Sequence, residues 1–115
     1  MEKLINRLRD LAAKKDRFVY DLRGNCVVYS GVVCPYRAIT ADGNAQLSVA
    51  ILDALEHESI LMGSRGIDGT AVYESCRLFT NVDQAMRFAK SQGRNTVYSL
   101  NRQVLLEVEA RPVAA

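Results

Sequence analysis

Phe18-Val19-Tyr20-Asp21-Leu22, turning through Arg23-Gly24-Asn25 into Cys26-Val27-Val28-Tyr29, is the stretch on which the fold depends. Both arms are rich in β-branched and aromatic residues, and Gly24 and Asn25 tolerate positive φ, so the pattern predicts a β-hairpin. Immediately upstream, Leu4, Ile5, Leu8, Leu11 and Ala12 share one stripe at helical spacing, which predicts a helix over residues 4–15. Lys14 and Lys15 fall in its last turn, where cations suit the helix dipole. The unit is therefore an amphipathic helix running directly into a hairpin.

The same plan recurs near the other end. Val82 to Gln92 reads as helix, and Thr96-Val97-Tyr98-Ser99-Leu100 turns at Asn101-Arg102 into Val104-Leu105-Leu106. A shift of 78 residues superposes Arg9 on Arg87, Val19 on Val97, Tyr20 on Tyr98 and Leu22 on Leu100. This predicts two similar halves, with a pseudo-twofold repeat of the helix-plus-hairpin unit. Such units also look alike for physical reasons, so duplication and pseudo-symmetric packing both stand.

Between the two units, Cys26 to Cys34 reads as one long returning strand, bulged at Gly31 and ended by Pro35, which cannot donate to a ladder. A second helix is expected over residues 44–57, apolar on more than one face, as suits a core helix or a subunit interface. Ile60-Leu61-Met62 begins a short strand, Gly63 to Gly69 is turn-rich, and Thr70 to Phe79 is extended again. Asn81 followed by Gln84 resembles a capping box, and Gly93 suits the C′ position of the third helix. The expected class is α+β: three helices with an antiparallel or mixed sheet of about six strands, in the order α-β-β-α-β-β-α-β-β. Residues 1–110 are expected to form a single domain, with 111–115 a frayed tail.

Composition narrows the function classes. Nearly half of the 115 residues are apolar and a quarter charged, as in ordinary globular proteins. No apolar run approaches the roughly 20 residues needed to cross a bilayer, and the charged N-terminus is unlike a secretion signal. Three cysteines without a CxxC argue against a disulfide framework. The cytoplasm is the expected location, with no membrane partner. Charge is segregated: residues 1–24 carry +3, residues 38–76 carry −5, and residues 77–115 carry +3. Solvated helix faces explain this, and so would electrostatic self-association or docking of a charged partner.

Few residues offer chemistry. Arg65 and Asp68, within the glycine-rich stretch 63–69, could cradle an anion on backbone N–H groups, although Asp68-Gly69 between strands is also a plain hairpin signature. His57, the only histidine, is a candidate ligand-binding or base residue, but a histidine in a last helical turn also serves the dipole. Tyr36 beside Arg37 is the preferred exposed anchor for a partner, against a partly buried sheet tyrosine. Lys3, Arg7, Lys14, Lys15 and Arg17, with Arg87, Lys90 and Arg94, could form a basic stripe for nucleic acid, interrupted by Glu2, Asp10 and Asp16. No catalytic triad, metal motif or cofactor fingerprint stands out, so no catalytic residue, metal or cofactor is assigned.

Gly66-Ile67-Asp68-Gly69-Thr70, Phe79, Ala85 with Phe88-Ala89, Gly93, Val97-Tyr98-Ser99-Leu100 and Leu106-Glu107-Val108 make residues 60–108 similar to small uncharacterised domains of phage and other mobile-element proteins. The resemblance implies a bacterial mobile-element source, such as a prophage or an integron cassette, and transfers no catalytic residue. The expected role is a non-enzymatic binding or protein-interaction module, acting through a surface and as a homodimer. A small enzyme or ligand-binding protein with a pocket between sheet and helices is the alternative, and nucleic-acid binding the second.

Overall fold

The computed structural model describes residues 2–36 and 44–108. The elements are α1 (Glu2–Lys14), β1 (Arg17–Asp21), β2 (Cys26–Val27), β3 (Val32–Pro35), α2 (Asn44–Leu55), β4 (Ile60–Arg65), β5 (Ala71–Phe79), α3 (Val82–Ser91), β6 (Thr96–Ser99) and β7 (Val104–Glu107). The class is α+β, as the hydrophobic periodicity predicts. Among the described residues the sheet has seven strands in the order β2-β1-β4-β5-β3-β6-β7, and every neighbouring pair is antiparallel. The expected frayed tail at 111–115 lies outside the described residues.

The strand count differs from expectation because the stretch read as one strand, Cys26 to Cys34, is two. β2 stays with β1 at one sheet edge, Tyr20 opposite Val27. β3 leaves it to sit between β5 and β6, with Val33 opposite both Leu78 and Tyr98. Gly31 makes the break possible. It adopts φ 111°, and a Cβ there would lie 2.8 Å from Leu78 Cδ1 and 3.0 Å from the Phe79 carbonyl oxygen. Only glycine combines that backbone with so close an approach.

The helices α1, α2 and α3 cover one face. Leu8 of α1 and Leu47, Ala50, Ile51 and Ala54 of α2 pack on Phe18, Tyr20, Leu61 and Tyr73. Ala85 and Ala89 of α3 pack on Val32, Cys34 and Val97. Asn81 caps α3 by accepting from Gln84 N at 3.1 Å, and Gly93 follows its C-terminus at φ 69°, as the cap signals predict.

Among the described residues no helix lies on the opposite face, yet Val19, Val33, Ile60, Met62, Cys76 and Tyr98 are buried there. The sheet covers this face by curling. In a flat sheet, β1 and β6, four strand spacings apart, would be separated by about 19 Å. Instead the guanidinium of Arg17 on β1 lies 5.0 Å from the ring centroid of Tyr98 on β6.

The 78-residue repeat does not carry over to side-chain placement. Tyr20 lies under the helices while Tyr98 lies on the curled-in face, and Val19 and Val97 are exchanged in the same way. A shift of one residue in strand phase exchanges faces, so the paired letters do different work.

Candidate functional site

Curling brings the two ends of the sheet toward each other without closing them. Between β2 and β7 remains an open groove of about 590 Å³. Val27, Val28 and Tyr29 form one wall, Gln103, Val104 and Leu105 the other, and Val19, Tyr98 and Leu100 lie between them. The volume falls within the ordinary range of ligand sites, roughly 300–1,000 Å³.

Two cations stand in this groove. Arg17, at the start of β1, lays its guanidinium over Tyr98, and its Nε is buried without a hydrogen-bond partner. Lys15, just after α1, holds its ammonium 5.6 Å from the ring centroid of Tyr29, a side chain that is 73% exposed. Among the described residues neither cation forms a salt bridge; the neighbouring Asp16 faces Arg65 instead, at 3.8 Å. A cation on an aromatic face keeps its outer hydrogen-bonding edge for a ligand. The groove thus pairs unspent positive charge with aromatic and aliphatic surface.

Lys15 and Arg17 of the candidate basic stripe thus lie in the groove, whereas the ligand-binding candidates read from sequence fall elsewhere, in two groups. Tyr36 and His57 meet, with ring centroids 4.1 Å apart, at the seam between the end of β3 and the end of α2. Tyr36 also meets the Phe88 ring edge-on at 5.1 Å, and Arg77 lies over Phe79 and Phe88. α2 ends at Leu55, two residues short of the expected 44–57. His57 therefore lies in the following turn, where its Nδ1 donates to the Asp53 carbonyl oxygen in the last turn of α2 at 2.8 Å. Burial, with help from Glu58, pushes the Tyr36 hydroxyl above its ordinary pKa. Arg37 lies outside the described residues.

Arg65 and Asp68 form the second group. Residues 63–65 belong to β4, so the turn is shorter than the glycine pattern suggests. Asp68 accepts from Thr70 N at 3.0 Å, and that bond holds its carboxyl below the usual range. Arg65 donates to the carbonyls of Ala12 and Gly69, tying the β4–β5 hairpin to the end of α1. Its charge is spent on backbone carbonyls and Asp16.

The predicted basic stripe is partly consumed by the fold. Arg7 donates to Tyr20 Oη at 3.0 Å and to Asn25 Oδ1 at 3.1 Å, and Arg94 pairs with Glu74. The thiols divide by burial: Cys26 is exposed, whereas Cys34 and Cys76 are buried. Desolvation pushes Cys34 up to about 11 and Cys76 well above its ordinary value. Buried thiols held protonated are poor nucleophiles. Among the described residues no group of three or more His, Cys, Asp or Glu is placed to hold a metal ion, and no helix is long and apolar enough to cross a membrane.

No protein-family model, curated protein or solved structure matches the chain. The groove must therefore be read from its own chemistry. The sequence places Lys15 and Arg17 together in the candidate basic stripe, and Tyr29 and Tyr98 apart from them in two different strands. Nothing local joins the two sets, because Arg17 and Tyr98 come together only through the curl.

Proposed function

We propose that this protein is a non-catalytic binding module whose working surface is the groove between β2 and β7, and that its ligand is an anion with an apolar body. One observation carries the reading: Arg17 lies over Tyr98 with a buried Nε and, among the described residues, no carboxylate partner. A half-buried cation left unpaired is costly, and a ligand carboxylate, phosphate or sulfonate offsets that cost on binding. The groove's titratable side chains are Lys15, Asp16, Arg17, Tyr29 and Tyr98, a set suited to holding charge rather than to nucleophilic chemistry. A cytoplasmic setting and a bacterial mobile-element origin belong to the same proposal, the second resting on the resemblance of residues 60–108.

Anilinonaphthalene sulfonate, an aromatic anion, is the test probe. Saturable fluorescence from one site is expected, weakened roughly tenfold or more in Arg17→Ala, since a hydrogen bond to a charged group is worth about 1.5–3 kcal/mol. A folded Arg17→Ala protein that binds the probe as tightly as the parent would remove the basis of the reading.

A second reading, self-association through α2, has its own observation. Val49, Leu52 and Leu55 form a stripe on the outer side of that helix, at 51%, 53% and 42% exposure. If two copies meet there, Leu52→Glu lowers the mass seen by light scattering over a concentration series. A parent protein that stays monomeric throughout the series removes this reading.

A further inference from the structure

The topology of the sheet says what shape of ligand would suit the groove. Seven strands, each antiparallel to the next, leave the first and last, β2 and β7, running in the same direction. They cannot close on one another as an antiparallel pair. One further strand running the opposite way would be antiparallel to both, and would complete an eight-stranded closed sheet. The two walls, Val27 to Tyr29 and Gln103 to Leu105, each present a run of three consecutive residues to the gap.

The two edges are unequal. β2 has only two residues, a common way of blunting an edge against unwanted pairing. β7 has four, VLLE, with neither proline nor lysine, and leaves Val104 and Leu105 39% and 49% exposed. Among the described residues it pairs only with β6. Its outer row of backbone groups is the natural template for an added strand. Facing that row across the gap stand the unpaired cations of Arg17 and Lys15.

We propose that the groove takes one extended, acidic segment of a partner protein, which adds to β7 as an eighth strand and sets a carboxylate against Arg17 and Lys15. This rests on the groove being the binding surface, as argued above. Strand addition supplies affinity through the backbone ladder, and the two cations select for acidic side chains on the groove-facing side. Leu106, which lies opposite Val97 on the helix side of the sheet, offers apolar contact to the alternate side chains.

The test uses a labelled short peptide alternating valine and glutamate, its valine–lysine counterpart, and the valine–glutamate peptide N-methylated at alternate amides. Fluorescence anisotropy should show binding of the first only. Lys15→Glu, at an exposed position, and Arg17→Ala should each weaken it about tenfold or more. Equal binding of the N-methylated peptide would overturn strand addition, and equal binding of the lysine peptide would overturn selection by the two cations. No binding of any of the three would overturn the proposal as a whole. Should the acidic peptide fail while anilinonaphthalene sulfonate still binds through Arg17, strand addition falls and the groove reading survives. Failure of both probes removes both.

Discussion

Replacing Gly63 by alanine is a sharp test of how the core beneath β1 and β4 is built. Gly63 sits in β4 directly opposite Phe18. A Cβ at this position would lie 2.4 Å from Phe18 Cε1 and 2.5 Å from Cζ, whereas carbon atoms in good contact stand about 3.5–4.0 Å apart. The ring would have to retreat by about 1 Å. It has little room, because Phe18 is 3% exposed and packs among Leu8, Tyr20, Ile51 and Leu61. Overpacking of this kind costs about 1–3 kcal/mol. Glycine to alanine in a strand otherwise returns about 0.5–1 kcal/mol by reducing the freedom of the unfolded chain. The steric effect wins, and the net loss is about 1–2 kcal/mol, or a fall in Tm of roughly 4–10 °C for a chain of this size. Urea unfolding followed by circular dichroism measures it. Phe18→Leu removes the obstructing ring atoms, so the double variant should be more stable than the sum of the single losses predicts, by about 1 kcal/mol. If Gly63→Ala is neutral or stabilising, or if the two substitutions add, the packing argument is wrong.

Three other perturbations probe separate features. Arg94→Ala leaves the Glu74 carboxylate, 16% exposed, without its partner; a loss of about 2 kcal/mol is expected in urea unfolding, and Glu74→Gln in the same background should recover part of it. Asn81→Ala removes the cap of α3 and should cost about 1 kcal/mol, read as a shifted urea midpoint with an unchanged slope. The thiols carry a pH signature. Cys34 is raised from 9.0 to about 11 in the folded chain, so above pH 9 the unfolded chain gives up a proton that the folded chain keeps. The unfolded state then binds fewer protons, and stability, full below pH 9, falls as pH rises toward 11. Cys34→Ala should flatten that fall, and an unchanged slope would refute the assignment. At pH 8, dithiobis-nitrobenzoate should titrate the exposed Cys26 at once and the other two thiols only on unfolding.

Much of the local structure was legible in the chain. The stripe Leu4, Ile5, Leu8, Leu11 predicts α1, Asn81 and Gly93 bracket α3, and Phe18 to Leu22 and Thr96 to Leu100 open hairpins where expected. These signals act within a few residues, through periodicity, capping and turn chemistry, so the chain carries them without reference to the fold. The meeting of Tyr36 with His57 was not written in their separate positions, and neither was the quenching of Arg65 by the carbonyls of α1 and its own hairpin.

What the sequence alone determined is therefore the kinds of elements and their approximate limits. The tertiary structure decided that residues 26–35 divide between an edge and the interior of the sheet, that Tyr20 and Tyr98 face opposite ways, and that Arg17 rests on Tyr98 across a curled sheet. The reason is that a strand's partners and facing are chosen by burial over long separations. The curl that forms the groove is a property of all seven strands together, and no short stretch of residues encodes it.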